Sequence, residues 1–307
     1  NEINYTAEPV NVTFTIGKAA ITEVTLAETS LTYTGEEQTV AVSSVKAGTL
    51  ELSANDYTVS GNKGTASDTY TVTVTAAEES NFTGSKTADF TISAKAVSDA
   101  MIADIAAQTY DGTEKEPVLT VTDGNTQLVL GTDYTVAYTD NVNASTETAT
   151  ATITGKGNYS GTASKTFTIN KAAINPTFSV TGWVYGSTPN TPVIGGTTGD
   201  GVQTVSYKLQ SEEEYSTTVP TAAGWYNAKL EIAEGTNYLG LESALTDTFC
   251  IAKATPAITQ VPVAKALTYT GVAQALVEAG TVSAGTLVYS KTIDGTFAES
   301  IPEETNA

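Results

Sequence analysis

The chain has 307 residues and a formal net charge of −20, with 34 Asp and Glu against 14 cations that are all lysine. That balance excludes a nucleic-acid footprint, which needs basic residues and favours arginine forks, and an anionic membrane surface. The absence of histidine excludes a Ser–His–Asp triad and any histidine base, the single Cys250 excludes an intrachain disulfide or a cysteine-built zinc site, and no apolar run reaches the length of a membrane-spanning helix.

In chain order, the sequence restates one closing phrase. Residues 1–20 carry it as Asn4-Tyr5-Thr6 running to Phe14-Thr15-Ile16-Gly17-Lys18-Ala19, the expected closing strand of an incomplete repeat. Residues 21–96 open with Leu31-Thr32-Tyr33-Thr34-Gly35 and close from Asn81-Phe82-Thr83-Gly84 to Phe90-Thr91-Ile92. Residues 97–172 open with Gln108-Thr109-Tyr110-Asp111-Gly112 and close from Asn158-Tyr159-Ser160-Gly161 to Phe167-Thr168-Ile169. Residues 173–254 open with Trp183-Val184-Tyr185-Gly186 and close from Asn237-Tyr238-Leu239-Gly240 to Phe249-Cys250-Ile251. Residues 255–307 hold only an opening half, with Leu267-Thr268-Tyr269-Thr270-Gly271. A period of roughly 77 residues is too long for a solenoid unit and suits a string of small domains. The sequence enters inside a closing phrase and leaves inside an opening half, as expected of a piece of a longer array.

Within each repeat the pattern is that of strands. Thr makes up roughly a fifth of the residues, with abundant Val, Ile and Tyr. Across Thr69-Tyr70-Thr71-Val72-Thr73-Val74-Thr75 the even positions are apolar and the odd ones are threonine, and Thr148-Ala149-Thr150-Ala151-Thr152-Ile153-Thr154 repeats the pattern. Period two with one apolar face predicts half-buried antiparallel strands. Six or seven short strands per repeat predict a two-sheet sandwich, since one sheet would leave its apolar face wet. Residues 99–107 are expected to form a first strand. Each joint is short, contains a Lys-Ala pair and lacks a flexible linker. The expected architecture is therefore all-β, a tandem array of immunoglobulin-like β-sandwiches forming an elongated rod.

The motifs Tyr110-Asp111-Gly112, Gly131-Thr132-Asp133-Tyr134-Thr135-Val136 and Gly155-Lys156-Gly157-Asn158-Tyr159-Ser160-Gly161 resemble the immunoglobulin-like repeats of bacterial surface proteins called MBG domains. Residues 173–254 resemble a second subtype through Gly182-Trp183-Val184-Tyr185-Gly186 and Ala223-Gly224-Trp225-Tyr226, and residues 255–307 resemble its opening half. The resemblance implies a large secreted or wall-attached bacterial protein in which such repeats space or display other modules. It brings no catalytic or ligand-binding residues.

Four constellations stand out against ordinary surface chemistry. Paired carboxylates could serve a glycosidase, but with 34 acids accidental pairs are certain, and Glu212, Glu213 and Glu214 suit a solvated loop. Asp133, Asp140, Asn141 and Asn143 offer oxygen ligands for calcium, without a recognised loop spacing. Lys18, Lys95, Lys171 and Lys253 share only their residue type with the buried lysines of covalent cross-links, because they sit at joints. Trp183 shares a face with Tyr185 and belongs to a core, whereas Trp225 falls with Asn227, Lys229 and Glu231 on the polar side of its strand. An outward tryptophan among polar groups can stack on a sugar ring. The expectation is a non-enzymatic extracellular stalk with no cofactor, no metal and no catalytic residue. Its partners are the neighbouring domains of the parent protein, with neither nucleic acid nor membrane insertion. The alternative is a carbohydrate-binding or adhesin module that contacts glycan through Trp225.

Overall fold

A computed structural model describes residues 8–305. Among the described residues the chain is all-β apart from one 3₁₀ turn, and it divides into two compact units, residues 1–172 and 173–307.

Unit one contains two sandwiches in tandem. In the first, Ser30–Thr32, Ser85–Ser93, Thr69–Ala76 and Tyr57–Ser60 form a four-stranded sheet in that order. A second sheet of Glu23–Leu26, Val42–Ala47 and Leu50–Glu51 faces it. The alternation fixes the faces: Val72 and Val74 are fully buried, with Phe90 and Ile92 beside them from the closing strand. Val40, Val45 and Leu52 complete the core from the other side. The second sandwich repeats the order with Gln108–Thr109, Thr162–Asn170, Ser145–Gly155 and Tyr134–Thr139. Its core gathers Ala149, Ala151, Ile153, Phe167 and Ile169 over Val121 and Leu128.

Two phrases recognised separately in the sequence turn out to be partners. The opening phrase of each sandwich pairs in parallel with the closing strand: Leu31 opposite Ile92, Gln108 opposite Ile169 and, in unit two, Trp183 opposite Ile251. The tyrosine that follows donates its backbone N–H to the end of that strand each time, Tyr33 to Ser93, Tyr110 to Asn170 and Tyr185 to Ala252, at 2.8–2.9 Å. A parallel pair between chain segments this far apart has no local turn signal, so periodicity alone does not reveal it.

The joint inside unit one is a small ladder. Lys95–Ala96 pairs in parallel with Tyr159–Ser160 of the following sandwich, as Ala19–Ala20 pairs with Phe82–Thr83. Lys95 Nζ donates to both carboxylate oxygens of Asp123 at 2.7 and 2.8 Å. Ser67 N donates to Asn158 Oδ1 at 2.8 Å, Ser67 Oγ donates to Gly157 O at 3.1 Å, and the rings of Tyr33 and Tyr159 meet edge to face.

Two expectations change. Residues 99–107 form no strand: Asp99–Met101 is a 3₁₀ turn, followed by a single bridge from Ile102 to Val121. The Asp99 carboxylate accepts the backbone N–H of Ser164 at 2.8 Å, which ties the turn across the sheet while Ile102 enters the core. The closing strand expected over 1–20 is not formed over 8–18, where Val10, Val12, Phe14 and Ile16 are exposed and no sheet edge lies alongside among the described residues. Its phrase Asn4-Tyr5-Thr6 lies outside the described residues.

Unit two begins with a sandwich of the same order: Trp183–Val184, Leu245–Ala252, Gly224–Ile232 and Gln203–Leu209, faced by Asn175–Ser179 paired with Val193–Thr197. Gly182 is required at the start of this sheet, because a Cβ there would stand 2.1 Å from the carbonyl oxygen of Cys250. The remaining segment forms short two-residue or three-residue pairings, Ile258–Gln260 with Thr281–Val282, Val263–Ala264 with Val277–Glu278 and Gln274–Ala275 with Glu303–Glu304. Leu267 and Tyr269 are exposed there.

Candidate functional site

The site is built on the strand Gly224–Ile232, which lies between two paired neighbours. Its inward residues Tyr226, Ala228, Leu230 and Ile232 are buried. Tyr226 stacks on Phe249 at 5.5 Å between centroids and donates its hydroxyl to Ala222 O at 3.0 Å. Trp183 stacks on the same Phe249 at 5.1 Å and is buried, as expected of a core residue, but Tyr185 does not share its face: the strand ends at Val184 and Tyr185 is exposed. Burial, then the nearby Glu212 carboxylate, pushes the Tyr226 phenol up, and burial alone raises Tyr207.

The outward residues take the opposite environment. Trp225 is 58% exposed beside a Tyr226 that is 6% exposed. The register sets Cys250 and then Thr248 on one side of Trp225 and Asn227, and Lys208 on the other side of Asn227. Gln210 donates its backbone N–H to Trp225 O at 3.0 Å, and its Nε2 lies 3.5 Å from Asn227 Oδ1. Lys208 Nζ and Lys229 Nζ lie 5.3 and 4.8 Å from the ring centroid of Tyr215, within cation–π range. Lys229 also pairs with Glu231 at 3.0 Å. Cys250 is a half-buried free thiol, the sulfur counterpart of Thr91 and Thr168 on the earlier closing strands. The lysines over Tyr215 are not legible in the sequence, because Tyr215 reaches them from a loop that no strand pattern registers.

The other constellations are employed in the fold. Asp133 Oδ2 accepts the backbone N–H of Val129 at 2.8 Å, and the buried Asn141 donates its Nδ2 to Lys115 O at 3.0 Å. Asp140 sits in the left-handed region with φ 53°. Among the described residues no group of three or more His, Cys, Asp or Glu is placed to hold a metal. Lys18 Nζ donates to the carbonyl of Glu78 at 2.7 Å, and Lys253 is exposed. The shifted carboxyls move downward. Lys115, then Thr113, holds Asp111 well below the usual range, and Lys165 lowers Asp104. A general acid needs the reverse.

The family model described as MBG domain matches residues 22–96 and 100–173. No curated protein matches. A solved structure similar to this chain is the protocadherin gammaB7 EC3-6 cis-dimer, with 11% sequence identity, a TM-score of 0.23, and coverage of 78% of this chain and 76% of that one. No helix among the described residues is long and apolar enough to cross a membrane. Residues 22–96 and 100–173 of this all-β chain are two MBG domains in tandem.

Proposed function

We propose that the chain is a non-enzymatic spacer segment of a bacterial cell-surface or secreted protein, whose repeats hold other modules at a set separation. The observation that carries this reading is the joint inside unit one. A spacer must transmit orientation from one repeat to the next. Here a two-residue ladder, a bidentate Lys95–Asp123 pair and an Asn158 amide bridge the two sandwiches without any free linker. Exposed surface ion pairs contribute little singly, but this one works with backbone pairing and a ring contact.

Spin labels at Thr58→Cys and Glu116→Cys in a Cys250→Ser background test the reading. Double electron–electron resonance should give one narrow distance distribution, broadened by Asp123→Asn. A broad distribution in the parent protein would remove the basis for a spacer.

A further inference from the structure

The outward face of the 224–232 strand differs in chemistry from the same face in unit one. On Thr69–Ala76 the outward residues are Thr69, Thr71, Thr73 and Thr75, and the first two bond to the neighbouring strand: Thr69 Oγ1 lies 3.3 Å from Thr91 Oγ1, and Thr71 Oγ1 donates to Asp89 Oδ1 at 2.6 Å. On Ser145–Gly155 the residues are again threonines, with Thr152 Oγ1 2.9 Å from Ser164 Oγ. The matching positions of unit two hold Trp225, Asn227, Lys229 and Glu231. Threonine suffices twice for the fold. The indole at Trp225 has no ring partner and no hydrogen-bond partner for its N–H among the described residues.

We propose that this face binds a neutral oligosaccharide, with Trp225 as the stacking platform and the Asn227 and Gln210 amides as hydrogen-bonding contacts. The proposal goes beyond the spacer role and does not depend on it. A pyranose presents an apolar C–H face edged by hydroxyls, which a flat half-exposed indole beside planar amides complements. The Gln210–Asn227 contact, at 3.5 Å, is too long to be a good hydrogen bond, so both amides keep capacity for a ligand. A peptide strand is disfavoured as occupant because Gly224–Ile232 is hydrogen-bonded on both sides and offers no free backbone edge. Acidic sugars are disfavoured because Glu231 neutralises Lys229 and Glu212, Glu213 and Glu214 precede Tyr215. From Trp225 to Lys229 the strand runs about 14 Å, which fits a short chain of sugars better than one ring.

Because Trp183 is buried and Trp225 exposed, intrinsic fluorescence reports the site. The full chain is titrated with β-1,4-linked hexasaccharides of glucose, xylose, mannose and N-acetylglucosamine, and with polygalacturonate. The expected result is a saturable emission change with at least one neutral hexasaccharide. With variant affinities read by isothermal titration calorimetry, Trp225→Ala should weaken binding by about tenfold or more and Asn227→Ala by about fivefold, whereas Lys63→Gln, on the exposed surface of unit one, should leave it unchanged. Near-UV circular dichroism confirms that each variant is folded, and Trp225→Phe should retain most of the affinity. Binding to none of the hexasaccharides overturns the proposal, as does affinity unaltered by Trp225→Ala. Binding of polygalacturonate alone, lost in Lys208→Gln, overturns the neutral class. A concentration-dependent dimer that buries Trp225 assigns the face to a second copy instead. None of these outcomes alters the distance distribution expected for the unit-one joint.

Discussion

The strands Thr69–Ala76 and Gly224–Ile232 hold the same place in sheets of the same order, yet they share only one face. Inward, Tyr70, Val72 and Val74 correspond to Tyr226, Ala228 and Leu230, and each tyrosine stacks on the phenylalanine opposite it, Phe90 at 5.2 Å and Phe249 at 5.5 Å. Outward, a row of threonines corresponds to Trp225, Asn227, Lys229 and Glu231. The inward face is held to type by volume, since a core tolerates neither voids nor crowding. The outward face is released from that demand, so its chemistry is available for contact with other molecules.

The largest expected effect tests the shared face. Phe249 is 2% exposed and touches the rings of Trp183, Tyr207 and Tyr226. Phe249→Ala should cost about 4 kcal/mol and Tyr226→Ala about 3 kcal/mol by urea unfolding. Trp225→Ala should stay within about 0.5 kcal/mol of the parent protein, as an exposed substitution does. Equal losses at Trp225 and Tyr226 would break the comparison, because the outward face would then be part of the folding core.

A second test uses pH on the core of unit one. In unit one, burial, then the Asp123 carboxylate, pushes the Tyr159 phenol up to about 12 from an ordinary 10.0. Its folded-state value is raised, so the folded protein holds the proton more tightly than the unfolded chain. Tyr159 therefore contributes stability that is complete below pH 10 and is lost as pH rises toward 12. Urea midpoints taken across this window should fall, and Tyr159→Phe should flatten the fall. An unchanged slope in Tyr159→Phe would show that other tyrosines set the alkaline limit.

The faces of these strands were legible in the sequence because a period of two is a local signal. Tyr226 and Trp225 fall on opposite sides by adjacency alone, and Phe249 and Ile251 bracket Cys250 in the same way. Long-range partners leave no such trace. Lys95 reads as one more boundary lysine until the hairpin Thr122–Asp123 to Thr126–Gln127 brings Asp123 to it. The turn at Asp99–Met101 was equally hidden, since its cause is an acceptor for the N–H of Ser164, some sixty residues away in the chain. The bulge between Ser145 and Ala149, with Glu147 at φ 52°, lies just ahead of the alternation that runs from Thr148 onward, and nothing in that alternation signals it.

The smallest expected effect sharpens the comparison most. Trp225 and Cys250 stand opposite one another where the first sandwich has Thr69 and Thr91. The double change Trp225→Thr with Cys250→Thr gives unit two the cross-strand hydroxyl pair of unit one. Threonine is a good strand former, and paired threonines on one face contribute a few tenths of a kcal/mol. The double variant should therefore unfold within about 0.5 kcal/mol of the parent protein and lose hexasaccharide binding measured by calorimetry. Its intermediate, Trp225→Thr alone, should label faster at Cys250 with a soluble maleimide, since the indole beside the half-buried thiol is gone. If Cys250 does not label in either protein, something other than the indole covers it, and the outward face of unit two is less open than that of unit one. If it labels and stability holds, the tryptophan serves a purpose that the fold does not require.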